Sequence, residues 1–265
     1  MPIYTHGHHE AVLRSHSVRT AENSAAYLVP QLKTGQSLLD VGCGPGTITA
    51  DLAELVAPGE VTAVEPEASA LALADRTANE RNIRNIRFET ADVHALEFPA
   101  DRFDVVHAHQ VLQHVHDPVQ ALREMRRVGK PDGVVAARDA DYAAMTWYPE
   151  VPALDEWLAL YRRIARHNGG EPDAGRRLLS WARQAGFSEV VPNASVWCYA
   201  TPAEREWWGG MWADRILDSA IAGQAVSYGY ATRADLERIS AGWREWASAR
   251  DGWFTVLHGE ILCRL

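Results

Sequence analysis

The chain has 265 residues, enough to bury one large core without requiring a second domain. Its 26 Lys and Arg against 35 Asp and Glu leave a net charge of −9, which disfavours a broad electrostatic grip on nucleic acid or an anionic membrane. Three cysteines without paired short spacing, no basic and apolar leader, and no apolar run approaching the ~20 residues that span a bilayer lead us to expect a soluble, reducing, cytoplasmic protein with a small-molecule partner.

Residues 1–7 carry no periodic signal, and 10–32 reads as one or two helices ahead of the first strand. Strands and helices then alternate: strand 36–41, helix 46–57, strand 60–64, helix 67–81, strand 84–90, strand 103–109, helix 117–129 and strand 133–139. That rhythm predicts an α/β fold, a Rossmann-like, mostly parallel sheet with helices on both faces. Pro58-Gly59 ends one helix, and Asp117-Pro118-Val119-Gln120 supplies an N-cap, a first-turn proline and a capping-box glutamine. After Asp139 come helices at 152–167 and 173–185 and a strand near 189–199. A capping box at Thr201 opens one more helix, Thr232-Arg233-Ala234-Asp235 opens another, and 253–265 reads as the closing strand, the seventh. The expectation is a single domain over 1–265: an N-terminal helical cover (1–33), a core (34–140), helices and the sixth strand (141–199), a helical lid inserted before the last strand (200–251) and that strand (252–265).

The stretch LLDVGCGPGTITA at 38–50 joins a strand, a glycine turn and a helix start. Its glycines let backbone approach a ligand, and the helix start offers unpaired N–H groups. A nicotinamide site would place G-x-G-x-x-G here, with a third glycine packing over a pyrophosphate. This chain instead has Asp40-x-Gly42-x-Gly44-x-Gly46, whose acidic residue would repel a pyrophosphate and could receive a cation.

In this core, DVGCGPG resembles the first motif of the class I S-adenosylmethionine-dependent methyltransferases, and the likeness runs over roughly residues 36–140. It implies that the Gly42, Gly44 and Gly46 turn wraps the methionine part of S-adenosyl-L-methionine. Glu65 in VTAVEP would bind the ribose hydroxyls, with Pro66 against the adenine. Asp92 in ETADVHAL would accept from the adenine amino group beside the Val93 N–H. His109, ending the strand in FDVVHAHQVLQHVHDP, would offer its carbonyl to the cofactor amino group. The upstream YTHGHH and SHSVRTAEN segments resemble the N-terminal helices of the ubiquinone- and menaquinone-biosynthesis type. They imply that Arg19 meets the cofactor carboxylate, that Tyr4 covers the methyl-donor end and that His9 lies toward the acceptor pocket.

The eleven histidines invite a metal reading at His6/His8/His9, His107/His109 and His114/His116, but no recognisable zinc spacing supports it, and no metal is assigned. His114, after the fourth strand, is a candidate general base because imidazole titrates near neutral pH. Asp139, Asp141 and Tyr142, after the fifth strand, form a second catalytic group. All ten tryptophans lie at or after Trp147. Trp147, Trp207, Trp208 and Trp212 are expected to line an acceptor pocket, apolar or aromatic in taste, although aromatic walls also hold cationic amines.

The resulting expectation is methyl transfer to a small acceptor by in-line displacement, releasing S-adenosyl-L-homocysteine. The alternatives are a protein of the same fold that catalyses a non-methyl reaction such as a cyclisation, and a binding module without turnover. No nucleic-acid or membrane partner is expected, and the sequence does not settle the oligomeric state.

Overall fold

A computed structural model of the protein describes residues 18–265. Tyr4 and His9, with most of the expected N-terminal cover, lie outside the described residues. What remains of the cover is a four-residue helix, α1 (Ala21–Ser24), capped by Thr20, and a 3-10 turn at Val29–Gln31.

The core follows the alternation. Strand β1 (Leu38–Val41) is buried at every position, as a central parallel strand covered on both faces must be. It is followed by α2 (Thr47–Val56), β2 (Val61–Glu65), α3 (Ala68–Glu80), β3 (Ile86–Thr90), β4 (Phe103–His109), α4 (Pro118–Val128) and β5 (Gly129–Ala140). These five strands are parallel in the order β3-β2-β1-β4-β5. Order reverses at β1, whose neighbours β2 and β4 lead to opposite sides of the sheet. A crevice therefore opens beyond the carboxyl ends of β1, β2 and β4, the usual ligand position in such sheets.

Two boundaries differ from the sequence reading. Asp117 caps α4 through the Gln120 N–H at 2.9 Å, but the Gln120 side chain donates to the His94 carbonyl at 3.2 Å instead of closing the capping box. The strand expected over 133–139 begins earlier, at Gly129, with a bulge where pairing with β4 jumps from Phe103↔Gly129 to Val105↔Val134.

The second half adds β6 (Thr146–Tyr148), α5 (Pro152–His167), α6 (Leu178–Gln184), β7 (Glu189–Tyr199), α7 (Pro202–Asp218), α8 (Ala220–Ser227), α9 (Arg233–Ser248) and β8 (Trp253–Arg264). The last strand runs antiparallel between β5 and β7, and its first residues also pair with β6. The sheet thus has eight strands where seven were expected, because three residues are too few to leave a periodic signal. The anticipated helix over 173–185 begins as a 3-10 turn at Gly175–Arg177, since Asp173 is held by Arg162 and Arg166. Helix α8 was not anticipated; Ser219 caps it through the Ile221 N–H. The box at Thr201/Glu204 closes as expected, and Thr232 and Asp235 form another at the start of α9.

Two apolar clusters cover the two faces of the sheet, and a third joins α5, α7, α8 and α9 to the start of β8. The third explains the tryptophan bias. Trp157, Trp212, Trp243 and Trp246 are almost wholly buried around Phe254, with Trp157 edge-on to Trp212 and Trp243 at centroid distances of 4.6 and 4.8 Å. Most of this aromatic mass is core, and only one edge of it faces the crevice.

Candidate active site

A cavity of about 370 Å³ occupies the crevice. Its floor is the turn after β1. Gly42 and Gly44 hold φ values of +69° and +53°, accessible to glycine at little cost. A Cβ on Gly42 would overlap Val111 of the turn after β4, so glycine here lets the two turns meet. Gly46 (φ +78°) lies behind the turn, where a Cβ would come within 2.8 Å of that of Ala74; it packs α2 on α3 and does not line the cavity.

Asp40 reaches the cavity wall, but its oxygens are occupied. Oδ2 accepts from Thr49 Oγ1 at 2.5 Å, and Oδ1 pairs with His107 Nδ1 at 2.7 Å. With its side chain 4% exposed, it ties β1, α2 and β4 together. The cation-receiving role expected for Asp40 is corrected to this positioning one.

At the end of β2, Glu65 accepts the Gly44 N–H at 3.1 Å. Burial pushes its carboxyl up to about 7; the Gly44 hydrogen bond works against that, and Glu67 and Asp40 add to it. Pro66 and Val93 line the same side. Asp92 sits at the rim with its side chain 67% exposed. Burial opposes its ionisation, but the N–H and ring of His94, at 2.9 and 2.6 Å, hold the carboxyl below its ordinary value.

His109 ends β4 with a buried ring that lines the cavity; among the described residues neither ring nitrogen finds a partner. Burial, then Arg138 and Arg19, hold it well below the usual imidazole value, so it is neutral. Gln110 follows in a left-handed conformation (φ +53°), accepting from Arg19 Nη2 at 3.0 Å and meeting His258 Nε2 at 2.9 Å. The Arg19 guanidinium also lies over Trp197, 5.5 Å from the ring centroid. Trp197 on β7 in turn donates to the Asn23 carbonyl at 2.7 Å, pinning the chain near α1 against the sheet edge.

The opposite wall is shared by the turn after β5 and the lid helix α7. Tyr142, Met145, Trp208, Trp212 and Arg215 line it. Trp147 and Trp207, expected in the pocket, do not: Trp147 stacks on Phe254 at 5.7 Å, and Trp207 lies against Tyr199 and Trp208. Tyr142 stacks on Tyr161 at 4.1 Å. Burial raises its phenol above the ordinary value, outweighing Tyr161, Arg215 and Arg19, so it stays protonated.

The general-base expectation for His114 is corrected in its premise. The residue lines the cavity, but burial, with Arg19, lowers its imidazole to about 3. A ring that weakly basic does not titrate near neutral pH and is a poor proton acceptor. Asp139 lies beneath the wall, not in it. Burial lifts its carboxyl to about 7 against the backbone amides of Gln113 and Leu112, and its Oδ1 accepts from the Gln113 N–H at 3.0 Å. It holds the turn that carries His114. Asp141 is turned away, gripped by Arg176 at 2.6 and 2.7 Å.

A family model described as a methyltransferase domain matches residues 32–186, over half of the chain. The chain belongs to this methyltransferase family. The methyltransferase is 34% identical to an uncharacterized methyltransferase of Schizosaccharomyces pombe, over 98% of this chain and 95% of that one. It is also 34% identical to a demethylmenaquinone methyltransferase of Lactococcus lactis, over 59% of this chain and 68% of the relative. The YcgJ protein of Bacillus subtilis shares the fold, with a TM-score of 0.60 at 21% identity over 92% and 98% of the two chains. The likeness to class I methyltransferases read from the motifs is borne out for family and fold.

Sequence reading missed Trp197, Gln110, Met145 and Arg215 as cavity residues of the methyltransferase. For Arg215 a signal existed: Trp208, Trp212 and Arg215 follow the i, i+4, i+7 spacing of a single helix face. For Trp197 none did, because its place depends on β7 pairing with β8.

Proposed function

We propose that the methyltransferase moves a methyl group from S-adenosyl-L-methionine to a small apolar or aromatic acceptor by in-line displacement. The observation that carries this reading is one continuous cavity, lined at one end by the glycine turn, Glu65 and Asp92, and at the other by Tyr142, Trp208 and Trp212.

The residues present suit the cofactor. Gly42 and Gly44 permit close backbone approach, Glu65 offers acceptors for ribose hydroxyls, and Asp92 and Val93 stand where an adenine edge would need them. The buried His109 nitrogens, without a partner among the described residues, and the nearby Arg19 give the amino-acid end polar neighbours. When bound, the cofactor supplies an electrophilic methyl group on a positively charged sulfur.

The chain's own contribution is then alignment and exclusion of water. Trp208, Trp212 and Met145 hold an apolar acceptor body against the opening, while protonated Tyr142 donates a hydrogen bond to a polar group on it. His114, weakly basic, orients an acceptor hydroxyl more readily than it removes its proton. Calorimetric titration with S-adenosyl-L-homocysteine, followed by labelled cofactor with phenols, quinones, amines and isoprenoids, tests the reading. Absence of homocysteine-derivative binding overturns it. Consumption of an acceptor without that product would move the chain to the cyclase-like alternative.

A further inference from the structure

The side chain of the rim residue Asp92 is 67% exposed, and a carboxylate so exposed ordinarily turns freely, so that fixing it on a ligand costs conformational entropy. This one is already fixed. Its Oδ1 accepts twice from one residue, from the His94 N–H at 2.9 Å and from His94 Nδ1 at 2.6 Å, and Oδ2 takes no part in either bond. His94 is held in turn from the start of α4. Its ring, 11% exposed, stacks on His116 at a centroid distance of 4.2 Å, and its carbonyl accepts from Gln120 Nε2 at 3.2 Å. Two residues on, Glu124 takes the Leu96 N–H at 2.9 Å.

The loop after β3 is thus clamped by the segment that opens α4, and Gln120 leaves the capping box to serve the clamp. Against the cost of burial, the two His94 bonds hold the Asp92 carboxyl below its ordinary value, so it is ionised and only accepts. With Oδ1 engaged and the side chain held, Oδ2 is presented in one orientation to a donor in the cavity, which both Asp92 and His94 line. A hydrogen bond to a preoriented charged group discriminates well, because no ordering cost is subtracted from it.

We propose that His94, steadied by His116 and Gln120, is the positioning residue that makes Asp92 selective for the 6-amino group of the cofactor's purine. The inference rests on the methyl-transfer reading, which puts an adenine edge at Asp92, and adds the element that turns a rim carboxylate into a reader of that edge.

The test is calorimetric titration of the wild type and two variants with S-adenosyl-L-homocysteine and with its analogue that carries hydrogen in place of the 6-amino group. The wild type is expected to prefer the amino compound about tenfold, as a hydrogen bond to a charged group allows. In His94→Phe, which keeps a ring against His116 but has no side-chain donor for Asp92, the preference falls by about threefold or more, while affinity for the 6-hydrogen analogue stays within about twofold of wild type. A merely structural role would weaken both ligands together. His94→Asn, whose amide N–H can take the place of Nδ1, keeps most of the preference. No preference in the wild type, an unchanged preference in His94→Phe, an equal loss for both ligands, or a preference lost as fully in His94→Asn as in His94→Phe overturns the proposal. Should His94→Phe fail to fold, His94→Leu decides by the same ratio: a fall of about threefold or more supports the proposal, and no change refutes it. If the wild type binds S-adenosyl-L-homocysteine without preferring it, only the His94 proposal fails; if the wild type does not bind it, the methyl-transfer reading fails and this inference with it.

Discussion

Under the proposed binding mode, with Glu65 accepting from the ribose hydroxyls, cofactor affinity should depend on pH. In the ligand-free fold its carboxyl stands at about 7, raised first by burial. Two ribose hydroxyls that donate to it require the ionised form, so binding is coupled to loss of the proton. Affinity for S-adenosyl-L-homocysteine is then level above about pH 7.5 and falls by about tenfold per unit below 7. At about pH 5.5 roughly 3% of Glu65 is ionised, which corresponds to a ~30-fold loss, or ~2 kcal/mol. The sign for folding is opposite: a carboxyl raised from 4.5 to about 7 stabilises the ligand-free fold at low pH and loses that contribution as pH rises through 7. The assay is calorimetric titration across this range in buffers of different ionisation enthalpy, which also counts protons released. Glu65→Gln should flatten the slope and weaken binding at about pH 8 by roughly 1.5–3 kcal/mol, the range for hydrogen bonds to a charged group. His109 and His258 are held well below their usual value and His114 at about 3, so these three do not confuse the reading; His94, which also lines the cavity and bonds Asp92, is controlled by His94→Gln. Asp139, also at about 7, is controlled by Asp139→Asn, which should leave the slope in place. A flat wild-type profile, or an unchanged slope in Glu65→Gln, would refute the reasoning.

Asp40→Ala removes a buried partner of both Thr49 and His107 and should lower unfolding stability by about 3–5 kcal/mol in urea titration; full stability with weaker cofactor binding would restore a direct ligand role. Gly42→Ala forces a side chain into positive φ and against Val111, so about 1–3 kcal/mol of stability should go, together with cofactor affinity; wild-type values for both would show that the two turns need not touch. Trp243→Ala, in the aromatic core, should cost about 3–5 kcal/mol of stability, whereas Trp147→Ala should leave acceptor affinity unchanged because Trp147 lies outside the cavity. His114→Gln should keep turnover within about tenfold of wild type, with no lost inflection near neutral pH, when rates are measured against pH.

By itself the sequence determined what local chemistry can write. The core strands, the Thr201 capping box and the glycine turn are each contained within a dozen residues, and they formed close to where they were read. The ordered strand ends Glu65, Asp92 and His109 were legible for the same reason, since parallel strands bring their carboxyl ends to one edge. Tertiary structure decided what depends on long-range partners. Asp40 turned inward because Thr49 and His107 wait there, and His114 lost its basicity because burial and Arg19 disfavour its charged form. The tryptophans divided between core and cavity by packing: Trp157, Trp243 and Trp246 closed around Phe254, while Trp208 and Trp212 on α7 and Trp197 on β7 reached the cavity. Arg215 belongs to the same class: helical spacing put it on the stripe with Trp208 and Trp212, but only the packing of the lid over the sheet edge turned that stripe into the wall of a site.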